Sequence, residues 1–265
     1  ASMIMFVFAA FVLGAVVQEF ARGTKARRAM TGEAVPRAFV TLVARNRRRY
    51  GGYIVHVGIA LMFVGVAASS AFQTVVDAKL LPGQTADVAG YKIRYVRASS
   101  GVDSERIALG AVLQVSRDGK QIATLRPNRS YFPASGVKEG LISRYFDGEA
   151  TSEIAMDPSS TRDIWTAVQP NLEPLRKLID EADKRFPDAS PVEQGVIVGA
   201  LLARYEARTP AANFRMIVSP LVLWIWVGGI VVALGALLAA WPSRAAKRKS
   251  SAEAAGRLAR ELGNS

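Results

Sequence analysis

From Tyr50 to Phe72 the chain runs without one formal charge (YGGYIVHVGIALMFVGVAASSAF), and Arg45, Arg47, Arg48 and Arg49 stand just before it. Some twenty apolar residues are enough to cross a bilayer as a helix. Two other stretches share this character, Ser2–Phe20 and Ser219–Trp241. The expected fold class is therefore an α-helical membrane protein with three transmembrane helices. The long segment between the second and third spans is expected to form a small periplasmic antiparallel β domain carrying a helical hairpin. The predicted order is a first span at 1–21, a cytoplasmic basic loop at 22–49, and a second span at 50–72. The β domain follows at 73–218 with its hairpin at about 172–208, then a third span at 219–241 and a cytoplasmic basic tail at 242–265.

Charge sets the direction of these spans. The formal net charge of +12 suggests a nucleic-acid binder until its distribution is considered. Between Gln73 and Phe214, Lys and Arg together equal Asp and Glu in number, so that segment is neutral. The surplus flanks the spans. Arg22, Lys25, Arg27, Arg28 and Arg37 precede the arginines already named, against Glu33 alone, and the tail carries Arg244, Lys247, Arg248 and Lys249. Short basic loops stay in the cytoplasm. Both basic blocks are thus expected inside, and the N-terminus and residues 73–214 outside. No nucleic-acid partner is implied; the partner of these blocks is membrane lipid. Arg37 to Val43 reads as a short amphipathic helix on the inner leaflet.

Ser2–Phe20 has no basic residue before it, unlike a signal peptide. An outside N-terminus without an export signal predicts a chain cut from, or assembled with, a larger polytopic protein. Glu19 is expected to pair with Arg22 at the cytoplasmic end. The chain has no cysteine, which excludes disulfides, thiolate metal sites, iron–sulfur clusters and thioether attachment of haem to this chain.

In the outer segment, Tyr91 to Arg97 alternates as a strand does. Ala111–Ser116 and Gln121–Leu125 flank Asp118-Gly119, a hairpin signal. Further β runs are read at Tyr131-Phe132, Ser152–Met156, Asp163–Val168 and Asn213–Val218. Leu172–Phe186 and Val192–Arg208 have helical spacing, with Pro187 and Pro191 bracketing the turn. Pro220 is expected at the N-terminus of the third span.

His56 is the one histidine. It lies six residues into the span, about 9 Å along its axis. A histidine there can pack by hydrogen bonding across helices or line a wet cavity. It can also ligate a haem iron, since burial favours the neutral imidazole that a ligand must be. Gly52, Ala60 and Ala67 lie near its face, with Gly51 and Gly58 close by. Small residues admit another helix or a flat cofactor, so Gly52 is assigned to haem contact or helix packing. A bis-histidine site needs a second ligand from outside this chain. No catalytic residue is assigned: no phosphate loop, paired-histidine motif or nucleophile elbow occurs, and Thr151-Ser152-Glu153 reads as a structural cap.

Asn46-Arg47-Arg48-Arg49-Tyr50-Gly51-Gly52-Tyr53-Ile54-Val55-His56 resembles the segment around a membrane histidine in the CcmF family of cytochrome c-type biogenesis proteins, often called haem lyases. Ser69–Phe72, Arg126–Pro133, Thr151–Met156 and Phe214–Gly229 resemble further strings of that family in the family's order. The resemblance implies a bacterial inner membrane as the location, and a membrane haem b held by two histidines, of which His56 matches one and so ligates the haem iron. It also implies that the complete protein takes haem from a periplasmic haem chaperone and attaches it to the Cys-x-x-Cys-His of apocytochrome c, an activity this chain would not have alone. The family's Trp-rich loop, its external histidines and its other membrane histidine are absent, so the likeness is to the C-terminal third. The remaining N-terminal part, or a split partner subunit, is the expected partner. The alternative reading is a structural membrane anchor and scaffold subunit with no haem of its own.

Overall fold

The computed structural model describes residues 2–103, 105–133, 146 and 149–241. The expected basic tail at 242–265 lies outside the described residues. The chain divides into two compact units, one formed by Ala1–Ala71 with Leu221–Ser265 and one by Phe72–Pro220.

The first unit is helical. It contains α1 (Ser2–Thr31), α2 (Val35–Arg45), α3 (Arg47–Ala71) and α6 (Leu223–Ala240). Of these, α1, α3 and α6 are long and apolar enough to cross a membrane. The stretch expected as a basic loop is mostly helical. α1 runs through Gly14 and Gly23, past Arg22 and Lys25, to Thr31, and it contains no proline. Gly32 then takes φ +69° and donates its N–H to the Arg28 carbonyl, a C-terminal stop that costs a glycine no steric strain. α2 restarts with proline in its first turn, where the missing N–H loses no bond.

α3 and α6 pack through glycines spaced seven apart. A Cβ on Gly51 would lie 2.7 Å from the Gly235 carbonyl oxygen, and one on Gly58 would lie 2.6 Å from that of Gly228. A Cβ on Gly65 would meet Ile225 at 2.8 Å. Between apolar helices in lipid there is little hydrophobic drive, and close backbone approach of this kind supplies dispersion contact instead. α1 meets α3 through rings: Phe8 stands edge-on to Phe63, and Phe20 contacts Tyr50 and Tyr53.

Among the described residues the second unit holds two antiparallel sheets. One has the order β1 (Thr74–Leu80), β10 (Ala212–Pro220), β9 (Arg162–Gln169), β8 (Ala155–Pro158). The other runs β2 (Thr85–Val88), β3 (Tyr91–Val102), β4 (Ile107–Arg117), β6 (Asn128–Tyr131), β7 (Ala150–Glu153), with β5 (Lys120–Leu125) also on β4. The β4–β5 hairpin turns at Asp118 and Gly119, both at positive φ, as the right-handed twist of the strands requires. Val96 is an extra residue in β3, where the register shifts between Tyr95 and Arg97. The inward residues therefore change from Tyr91, Ile93 and Tyr95 to Ala98, while β4 stays on odd numbers from Ile107 to Val115. The bulge keeps one face of the sheet inward along its length. It also ends the strict alternation expected to reach Arg97.

Two cores result. Tyr95, Leu113, Ile164, Phe214 and Met216 fill the space between the sheets. Ile107, Leu109 and Tyr131 receive the hairpin formed by α4 (Glu173–Arg185) and α5 (Pro191–Arg208), through Leu175, Ile179, Leu202 and Tyr205. Ser190 and Glu193 form a capping box at the start of α5. At its end, the Glu206 carboxylate accepts from the backbone N–H and hydroxyl of Ser100 on β3. Burial raises the phenol of Tyr95 to about 12 and pushes that of Tyr205 up as well.

Pro220 does not open a helix. It ends β10, paired with Arg162, and β1 stops opposite Val218, so the proline has a strand neighbour on one side only. The run expected over Ser152–Met156 is two strands. β7 pairs with β6 and β8 with β9, and the chain changes sheet at Ile154, which is half exposed.

Candidate functional site

α3 positions His56 outward. An outer stripe of the helix is formed by His56, Ile59, Val66 and Ser70, all exposed. The imidazole Nδ1 lies 2.7 Å from the Gly52 carbonyl oxygen, one turn earlier. A carbonyl only accepts, so Nδ1 carries the proton, and in the neutral ring the lone pair is then on Nε2. The ring thus leaves Nε2 as the nitrogen not engaged by the helix. Such a second bond to the far nitrogen is how ligating histidines are usually oriented.

The surroundings of His56 differ from expectation in two places. Ala60 and Ala67 are fully buried in helix packing, as are Gly51 and Gly58, so none of them lies open beside the imidazole. Gly52 has the opposite environment: a Cβ there would meet nothing within 4 Å. Among the described residues nothing packs where a Gly52 side chain would stand. A free imidazole nitrogen beside a side-chain-free turn fits one axial side of a haem. No cluster of three or more metal-ligating side chains occurs among the described residues.

Two turns before His56, the Arg49 guanidinium lies 2.6 Å from the Glu19 carboxylate and donates at 3.0 Å to the Tyr53 hydroxyl. Tyr53 in turn donates to Glu19 at 3.1 Å. Glu19 therefore ties α1 to α3 and does not pair with Arg22. The sequence did not reveal this partner, because it lies 30 residues away on another helix.

In the second unit, Glu153 accepts hydrogen bonds from Ser130 Oγ at 2.8 Å and Asn128 Nδ2 at 3.0 Å, and pairs with Arg106. β6 and β7 are partners in the register Asn128↔Glu153, so two of the sequence strings quoted above are neighbours in space. The bonds from Ser130 and Asn128, with the Arg106 charge, hold the Glu153 carboxyl below its ordinary value. This is a structural cross-brace with every member engaged. Arg106, in no recognisable motif, is the residue that sequence reasoning missed.

No protein-family model matches this chain. Curated relatives do. The cytochrome c-type biogenesis protein CcmF of Pseudomonas aeruginosa is 25% identical over 244 residues, which is 92% of this chain and 29% of the relative. The chain is similar to the C-terminal portion of CcmF-type proteins. CcmF of Pseudomonas fluorescens is 26% identical over 90% of this chain, and NrfE of Haemophilus influenzae is 23% identical over 80%. The chain spans 29%, 28% and 26% of those three relatives' lengths. A solved structure titled cytochrome c heme lyase CcmF aligns over 87% of this chain and 34% of its own, with TM-score 0.47 and 20% identity.

Proposed function

We propose that this CcmF-type chain is the C-terminal part of a cytochrome c haem lyase, and that His56 Nε2 supplies one axial ligand to a haem b within the membrane. The observation that carries this reading is the bond from Nδ1 to the Gly52 carbonyl, with the ring exposed and the Gly52 turn open. The bond holds Nδ1 as the donor, so that Nε2 is the nitrogen that would face the iron. Gly52 leaves space for a flat ring, while Gly51, Gly58 and Gly65 hold α3 rigid against α6. Haem b held there would supply one-electron chemistry. The second axial ligand comes from the remaining N-terminal part or a split partner subunit, since this chain has one histidine. The unit formed by Phe72–Pro220 faces the periplasm in this reading, opposite the basic segments, and meets the haem chaperone or apocytochrome c. Haem attachment belongs to the complete protein.

The test is a reduced-minus-oxidised visible spectrum of the complete complex in detergent, wild type beside His56→Ala. Loss of a b-type band while the complex stays assembled supports the assignment. An undiminished band at full occupancy overturns it and leaves α3 as a scaffold.

A further inference from the structure

Past the apolar run of α1, the helix and α2 enclose a groove of about 600 Å³. Its walls are Phe20 from α1 and Val35, Phe39 and Val40 from α2, and Lys25 and Arg28 stand at its rim. Phe39 and Val40 are exposed, 42% and 64%. Apolar side chains presented with two cations beside them are unusual on a water-facing surface, and they suit a surface that lipid covers.

Depth and charge name the occupant. Phe20 closes the apolar run of α1, and Lys25 follows five residues later, roughly 8 Å further along the axis. The cations therefore stand at headgroup depth when the apolar run fills the hydrocarbon layer. They also keep their charge unshielded. Glu33, the one acid between Arg22 and Arg49, is held by Arg27 at 2.9 and 3.1 Å, and that bond keeps its carboxyl below the ordinary value. Neither Lys25 nor Arg28 forms an ion pair among the described residues. Thr24, on the same wall, is 8% exposed, and its Oγ1 has no hydrogen-bond partner there. A buried hydroxyl of this kind gains from an incoming acceptor oxygen.

We propose that this groove is a binding site for an anionic phospholipid, with an acyl chain against Phe20 and Phe39 and the phosphate between Lys25 and Arg28. Phosphatidylglycerol is the simplest lipid of that chemistry. The site is independent of His56, and its test reads no haem signal. Native mass spectrometry of the complete detergent-purified protein, offered phosphatidylglycerol and phosphatidylcholine in equal amounts, should show retained phosphatidylglycerol. The double variant Lys25→Gln/Arg28→Gln should reduce that preference on the order of tenfold. A Phe39→Trp variant in nanodiscs places the lipid: brominated phosphatidylglycerol should quench the added fluorescence more than brominated phosphatidylcholine does. Equal retention of both lipids, or a preference untouched by the double variant, overturns the proposal. Absence of quenching by either lipid also overturns it and marks the groove as a seam covered by polypeptide.

Discussion

On one side of α3, glycine at 51, 58 and 65 brings the backbone of α6 into contact, and a single added carbon would strike a carbonyl, an amide or a side chain. On the side carrying His56, Gly52 meets nothing within 4 Å. Gly51 and Gly52 are neighbours in sequence, equally small and equally apolar. About 100° of helical rotation per residue separates a packing position from an open one. A glycine in a membrane helix is thus informative only once its face is known, and the two faces of α3 are suited to different tasks. One fixes the helix and the other leaves space beside an imidazole.

The sharpest way to break this contrast is to make one substitution on both faces. Gly58→Ala places its Cβ 2.6 Å from the Gly228 carbonyl oxygen and 2.7 Å from the Val232 amide nitrogen, neither of which can rotate away. It should destabilise the complete protein by about 1–3 kcal/mol, the range for overpacking. Gly52→Ala should change stability little or raise it by up to about 1 kcal/mol, because alanine is the better helix former. Thermal unfolding in detergent, followed by gel filtration, measures both. Equal losses at the two positions would show that the open face is packed in the complete protein.

A larger side chain at the open position separates room for a cofactor from room for a helix. Gly52→Leu should leave unfolding close to wild type but lower haem occupancy in the visible spectrum, as His56→Ala should. The Gly52 carbonyl remains in this variant, so the histidine keeps its tautomer while the space beside it closes. Haem retained in full by Gly52→Leu would detach Gly52 from the site and leave His56 to stand alone.

The sequence made the three spans legible because an uncharged run of twenty residues has few other solutions, and the same holds for the hairpin at Asp118-Gly119. The faces of α3 were not legible. Ala60 and Ala67 share approximate angular positions with His56, yet both are buried, because the neighbour that covers them is set by tertiary packing. β1 and β2 went unread for a different reason. β1 (TVVDAKL) is half exposed and pairs with β10, more than 130 residues away, so no local turn announces it. Pro220 reads equally well as a helix start or a strand end, and only the Arg162 pairing decides between them. His56 was found because it is the one histidine, whereas the bond to Gly52 that fixes its tautomer is a matter of rotamer.

Smaller effects are expected where charge, and not steric contact, joins the elements. Glu19→Gln removes the carboxylate that links Arg49 and Tyr53 across α1 and α3. The Arg49 side chain is 62% exposed, so water screens the pair and the loss should be well below that of Gly58→Ala. A loss as large as that of Gly58→Ala would mean that α1 is held to α3 by this network and not by the Phe8–Phe63 and Phe20–Tyr50 ring contacts.

The cross-brace of the β unit is likewise built on charge. Glu153 is 39% exposed, so Glu153→Gln should cost about 1 kcal/mol or less in neutral solution, although the carboxylate has three partners. Its effect on pH dependence is more diagnostic. The folded Glu153 carboxyl is held below its ordinary value of 4.5, first by the Ser130 and Asn128 bonds and then by Arg106. The unfolded chain therefore binds the proton more readily, and the stabilisation is complete above that ordinary value and lost as pH falls through the folded one. Asp103, held low by the Glu105 and Arg106 backbone N–H groups, acts in the same direction. Wild type should lose stability below about pH 4.5 more steeply than Glu153→Gln, with a residual slope from Asp103. Chemical denaturation at pH 7 and at pH 4 checks this. Parallel slopes in the two proteins would mean that the Arg106–Glu153 bridge is open in solution, and that Ser130 and Asn128 satisfy each other without it.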